Sequence, residues 1–109
     1  MTVATIIVNF NAGETLHLCV RALLNSGVHT EVTVIDNASS DGSAQSLHDD
    51  YDNQESVEFL FNPTNIGFAP AINRVARRLK SDWVLILNPD CILEPETLGC
   101  LKSALENDA

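Results

Sequence analysis

The chain has 109 residues, 45% of them apolar, which suits one folding unit with a single core, residues 1–109, and leaves no room for two. Six Lys plus Arg stand against 15 Asp plus Glu, a formal charge of -9 that repels phosphate backbones and anionic lipid and so excludes nucleic acid and membrane surfaces as expected partners. A phosphorylated small molecule is not excluded, because a helix terminus or a metal ion can reverse the sign locally.

Thr5-Ile6-Ile7-Val8 is a β-branched run that stops at Asn9-Phe10-Asn11, as a strand buried on both faces would. Leu16, Cys19, Val20, Leu23 and Leu24 then recur at helical spacing, with Asn11 and Glu14 placed like a capping box and Gly27 as a stop. Val32-Thr33-Val34-Ile35 predicts a second strand, ending in the turn-forming and capping segment from Asp36 to Gly42. A short helix is predicted from about Ser43 to Asp49, and a third strand from Val57 to Phe61. The acidic stretch between them reads as solvated surface.

Asn62 to Gly67 is a loop, and Pro70 falls in the first turn of a third helix, where a missing N–H is tolerated. Phe68, Ile72, Val75, Ala76 and Leu79 form its apolar stripe. Trp83-Val84-Leu85-Ile86-Leu87 reads as the most thoroughly buried strand, cut off by Pro89. Pro95 opens a last helix carrying Leu98, Leu101 and Leu105. Strands alternating with helices imply an α/β fold: an open, mostly parallel sheet of about four strands with helices on both faces.

The apolar runs Ala4–Val8 and Trp83–Leu87 fall far short of the roughly 18 residues that span a bilayer. No charged-then-apolar leader opens the chain, so a soluble, cytoplasmic protein is expected. Cys19, Cys91 and Cys100 have neither the number nor the spacing of a disulfide framework or zinc site, which fits a reducing compartment. His17, His29 and His48 lack partner spacing for zinc or a catalytic triad and are expected to serve surface or capping roles.

In an open α/β sheet, ligands bind beyond the carboxyl ends of the strands. Those ends hold this chain's unusual polar residues: Asn9 and Asn11 after the first strand, Asp36 and Asn37 after the second, Asn65 and Gly67 before the third helix, Asn88 and Asp90 after the fourth strand. Each loop alone could be an ordinary turn. Four of them on one rim point to a binding site. No G-x-G-x-x-G or G-x-x-x-x-G-K occurs, which disfavours a dinucleotide oxidoreductase or a P-loop enzyme.

Four motifs, T-I-I-V-N-F-N, V-I-D-N-A-S-S-D-G-S, N-x-G-F-A-x-A-x-N and L-I-L-N-P-D, resemble in order and spacing the N-terminal, nucleotide-sugar-binding half of family-2 inverting glycosyltransferases of the GT-A fold, from Thr5 to about Leu98. The resemblance implies transfer of a sugar from a nucleotide diphosphate to an acceptor hydroxyl, saccharide or lipid-linked, assisted by Mg2+ or Mn2+. Asp36 matches the base-reading aspartate, where a carboxylate accepts the N3–H of uracil or thymine. Asn9 to Asn11 match the segment around the base and ribose, Asn65 with Gly67 the loop that lets the nucleoside approach the backbone, and Asn37, beside Asp36, is a further expected contact to the nucleotide. Phe68 is expected in the core, and Asn73 bonded to a neighbouring loop.

Asn88-Pro89-Asp90 occupies the D-x-D position, where an extended segment would point Asn88 and Asp90 the same way. The metal ligand is then Asp90, and Asn88 faces ribose or metal-bound water. The N-P-D form is similar to that of rhamnosyltransferase-like members, implying a UDP- or dTDP-linked donor. After Asp90 the carboxylates are Glu94, Glu96, Glu106 and Asp108. The resemblance implies a catalytic base well downstream of the D-x-D position, in the half that builds the acceptor pocket, whereas these four lie at the start or end of the last helix. The chain is therefore expected to lack the acceptor half and to self-associate through its fourth strand or last helix. Two other classes compete. One is a non-catalytic nucleotide-sugar-binding or regulatory module. The other is a receiver-like signalling domain, disfavoured because the predicted third strand ends in Asn62 rather than in a phosphoacceptor aspartate.

Overall fold

The computed structural model describes residues 2–108, one position short of the expected 1–109 unit at each end. Strands and helices alternate throughout: β1 (Val3–Asn9), α1 (Thr15–Leu24), β2 (Thr30–Asn37), α2 (Ser43–Tyr51), β3 (Val57–Asn62), α3 (Phe68–Ala76), β4 (Trp83–Leu87) and α4 (Thr97–Asp108). The four strands form one sheet in the order β3-β2-β1-β4, and every pairing is parallel, as crossovers through helices require. All the strands therefore end on the same rim. None of the described helices is long and apolar enough to cross a membrane.

Alternation along β1 divides the core in two. Val3 and Ile7 face α1, α2 and α4, packing with Leu16, Cys19, Val20, Leu23, Ala44, Leu47 and Leu98. Ile6 and Val8 face α3, where they meet Ile35, Ala71, Ile72 and Val75. Each fully buried side chain of this kind stabilises the fold by about 1.5–3 kcal/mol. β1, buried at all seven positions, is the central strand that carries both layers.

Three expectations need correction. β4 is not fully buried: it lies at the sheet's edge, and α3 packs over β1 and β2 and bonds toward β3 rather than covering β4, leaving Val84 and Ile86 41% and 47% exposed. Phe68 is not core; at the first position of α3 it overshoots the sheet and is 56% exposed. Asn73 is also exposed, and the atom that bonds there is its backbone oxygen, which accepts from Arg77 N at 3.4 Å. The last helix begins at Thr97, two residues after Pro95.

Candidate functional site

The register of β1 against β2 sets Asn9 opposite Asp36 at the carboxyl end of the sheet, on the α1 and α2 side. Both are enclosed: Asn9 is 0% and Asp36 5% exposed. Asn9 Nδ2 donates to Asp36 Oδ1 at 3.0 Å and lies 2.9 Å from Ser43 Oγ and 3.2 Å from Ser39 Oγ. Ser39 gives Asp36 two further bonds, from its hydroxyl to Oδ1 at 2.6 Å and from its N–H to Oδ2 at 3.1 Å. A buried carboxylate surrounded by donors is held as an acceptor.

The loops above this pair are tied together. Asn11 adopts a left-handed conformation, φ 52°, which asparagine tolerates, and its Oδ1 accepts from Ser40 N at 2.8 Å and Asp41 N at 3.2 Å. Asp41 in turn accepts from Gly13 N at 3.0 Å and from Ser43 N and Oγ, at 3.0 and 2.6 Å, where α2 begins. The Ser43 hydroxyl is the main cause that holds the Asp41 carboxyl below its usual 3.8, aided by the Ser43 and Gly13 amides. The expected Asn11–Glu14 capping box is absent, because Asn11 is committed to the second loop and α1 starts without a side-chain cap. Ala38 is also left-handed, φ 63°, a conformation costing about 1–2 kcal/mol for a residue with a Cβ.

Asn37 turns to the opposite face. Its Nδ2 donates to Gly67 O at 3.0 Å, while its Oδ1 accepts from Asn62 Nδ2 at 2.9 Å; Asn62 Oδ1 accepts from Arg74 at 3.2 Å. Asn65 Oδ1 accepts the N–H of Gly67, whose φ of +88° is what requires glycine there; a Cβ would meet only Pro70 Cδ, at 3.7 Å. Asn37 thus fastens the loop before α3 to the end of β2.

At the end of β4 the segment is a turn, not extended as expected: Asn88 Oδ1 accepts Asp90 N at 3.3 Å and Asn88 O accepts Cys91 N at 2.9 Å. The buried Cys19 thiol lies 3.8 Å from the same carbonyl, its pKa pushed up to about 12, first by burial and then by Cys91 and Asp90, so it stays a protonated donor. Asp90 itself is exposed. No cluster of three or more His, Cys, Asp or Glu that could hold a metal ion is present among the described residues; the carboxylate of the Asn88-Pro89-Asp90 turn is that of Asp90. One carboxylate oxygen donor fits Mg2+ or Mn2+, which take oxygen ligands and are commonly completed by substrate phosphate and water.

The rim therefore gathers all eight predicted residues, in two kinds. Asn9, Asp36 and Asn37 are buried and build it, whereas Asn11, Asn65, Gly67, Asn88 and Asp90 are exposed on it. Sequence reasoning read Ser39 and Asp41 only as part of a turn and capping segment before the helix that starts at Ser43, and placed none of the three at the site. It also passed over Phe10, whose ring is 52% exposed between Asn9 and Asn11. The histidines match expectation: His17 meets Asp50 at 3.0 Å, and His48 packs edge-on to Phe59 and Phe61.

A parallel α/β sheet with helices on both faces and a polar rim at the carboxyl ends of its strands defines a domain of the doubly wound kind. The model for glycosyl transferase family 2 matches residues 4–109, and the chain belongs to that family. Among solved structures it is similar to TarS 1-349 of S. aureus in complex with UDP-GlcNAc, with a TM-score of 0.85 at 21% identity over 98% of this chain and 32% of that one. It is also similar to the mannosyltransferase PcManGT from Pyrobaculum calidifontis in complex with GDP-Man and Mn2+, TM-score 0.80 at 20% identity, covering 88% of this chain and 30% of that one. At such identities the likeness establishes the GT-A-like fold, and this chain spans about a third of those structures' length. No curated protein matches it.

Proposed function

We propose that this chain binds the donor of an inverting glycosyltransferase, a UDP- or dTDP-linked sugar held with Mg2+ or Mn2+, for transfer to a hydroxyl of a saccharide or lipid-linked acceptor. The observation that supports it is the convergence, on one rim of a family-2 domain, of an acceptor carboxylate at the end of β2 and an exposed, unbonded carboxylate beyond β4. Asp36 receives the base, and Asp90 would hold the cation, whose charge would offset that of the diphosphate. Phe10 offers an open ring face on which a base stacks. The loop from Asn65 to Gly67 lies across from them. That the solved neighbours carry UDP-GlcNAc, or GDP-Man with Mn2+, supports the same class of ligand. The N-P-D turn keeps dTDP-rhamnose and UDP-hexoses as the donors to try first.

Calorimetry with UDP and dTDP, with and without Mn2+, tests the reading. Binding that needs the metal is expected, and no binding of either nucleotide in its presence would overturn the proposal. A donor-turnover assay then separates a transferase from a binding module, which would hold the donor and never consume it.

A further inference from the structure

Asn9 carries a contradiction that its own surroundings resolve. It ends a strand whose preceding residue, Val8, is apolar, and it is completely enclosed, yet its Oδ1 is buried with no hydrogen-bond partner among the described residues. An orphaned carbonyl lowers stability, and an apolar residue at the same place would avoid that cost. Its amide cannot turn over to cure the defect. Ser39 and Ser43 spend their hydroxyl hydrogens on Asp36 Oδ1 and Asp41 Oδ1, at 2.6 Å each, so both present lone pairs to Asn9. Exchanging the amide's oxygen and nitrogen would also set oxygen against the Asp36 carboxylate, now 3.0 Å from Nδ2. The orientation is fixed by three acceptors, and what the side chain accomplishes is to hold Asp36.

Asp36 is then almost saturated. A carboxylate has about four acceptor positions. Asn9 and the Ser39 hydroxyl fill two on Oδ1, and the Ser39 N–H fills one on Oδ2. Only acceptor capacity on Oδ2 remains, on a residue 5% exposed at the rim.

We infer that Asn9, without touching the nucleotide, is a positioning residue that fixes Asp36 as an acceptor for the imino N–H of the base and thereby sets base selectivity. This rests on the donor-binding role given above. Uracil and thymine present that N–H. Cytosine presents a ring-nitrogen lone pair at the same edge position and meets the carboxylate acceptor to acceptor. Without the Asn9 donor, Asp36 turns about its own side chain and the distinction between the bases weakens, while contacts to ribose, diphosphate and metal stay as they were.

The test compares UDP with CDP, both with Mn2+, by calorimetry on the unaltered protein, Asn9→Val and Asn9→Thr. Valine and threonine are nearly the same size, and only threonine keeps a donor, so the pair isolates the hydrogen bond; valine also continues the apolar strand, and thermal melting checks that both variants fold. The unaltered protein is expected to prefer UDP at least tenfold. Asn9→Val should bring the two nucleotides within about threefold by weakening UDP alone, and Asn9→Thr should retain most of the preference. A merely structural role would weaken UDP and CDP in parallel and overturn the inference. So would a folded Asn9→Val that keeps the full preference. If the unaltered protein binds neither nucleotide, the donor-binding proposal fails first; if it binds both equally, donor binding stands and base reading by the Asn9–Asp36 pair falls.

Discussion

The side-chain oxygen of Asn11 accepts the backbone N–H of Asp41 at 3.2 Å, while the Asp41 carboxylate accepts the N–H of Gly13 at 3.0 Å, so each rim loop is closed by a residue of the other. Asn11→Ala removes two acceptor contacts, those to Ser40 and Asp41, and is expected to cost about 1–2 kcal/mol, more than an exposed position normally does. Urea denaturation measures it. An unchanged midpoint would show that the two loops hold their shapes independently.

Asp41 gives the clasp a pH dependence. Its folded-state pKa lies below the unfolded 3.8, chiefly through the Ser43 hydroxyl, so its stabilisation is complete above 3.8 and is lost as pH falls through the lower folded value. The carboxyl resonance of Asp41 followed by NMR should titrate below 3.8, and Ser43→Ala should move the midpoint back up. A Ser43→Ala midpoint lower than that of the parent would reverse the assigned cause.

Ala38 holds a left-handed backbone without the side chain that makes it easy. Ala38→Gly should stabilise the protein by about 0.5–1 kcal/mol, the strain relieved being partly offset by glycine's greater freedom when unfolded. A lower melting temperature for the variant would mean that the Ala38 methyl contributes packing greater than the strain.

Asp90→Ala should abolish the effect of Mn2+ on nucleotide affinity and leave the melting temperature within a degree or two, because the side chain is exposed and makes no hydrogen bond or ion pair to the described residues. Titrating UDP at several Mn2+ concentrations decides it. Persistence of the same metal dependence would place the cation elsewhere.

On the α3 side of the sheet's edge, Val84 and Ile86 are exposed; on the other side Trp83, Leu85, Leu98, Leu101 and Leu105 line an apolar groove of about 350 Å3 between β4 and α4. A protein of these 109 residues should therefore self-associate, since an apolar edge strand invites pairing. Replacing Val84 and Ile86 by threonine, which keeps the branching strands favour, should shift light-scattering mass toward the monomer. A parent protein that stays monomeric at high concentration would sink the expectation. Such a chain is also expected to bind donor without turning it over. Of the carboxylates after Asp90, Glu94 and Glu96 lie in the turn leading into α4 and Glu106 is exposed near its far end, while the side chain of Asp108 falls outside the described residues.

Periodicity made every strand and helix legible, because apolar residues at intervals of two or between three and four record which face is covered. It could not show how far a cover reaches. Val84 and Ile86 look as buried in sequence as Ile6 and Val8, and they differ only because α3 lies over β1 and β2. The same limit explains Phe68, apolar and helical yet beyond the sheet. At the rim, the residue types were legible but not their division of labour. That Asn9 is buried opposite Asp36 and bonded to it is visible only in the β1–β2 register, and Asn11 looks like a helix cap until a loop nearly 30 positions onward takes its oxygen.

The sheet order has a consequence for how the chain is made. β1, the first of the four strands to be synthesised, lies inside the sheet, and its two neighbours emerge far apart: Val3 pairs with Thr30 and also with Trp83. At about 5–20 residues per second, the 80 positions between Val3 and Trp83 take roughly 4–16 s to synthesise. For that interval the β4 edge of β1, a strand buried at all seven positions in the fold, has no partner to pair with, whereas its other edge can be closed once β2 emerges. A nascent chain that begins to fold before β4 appears would therefore expose that edge.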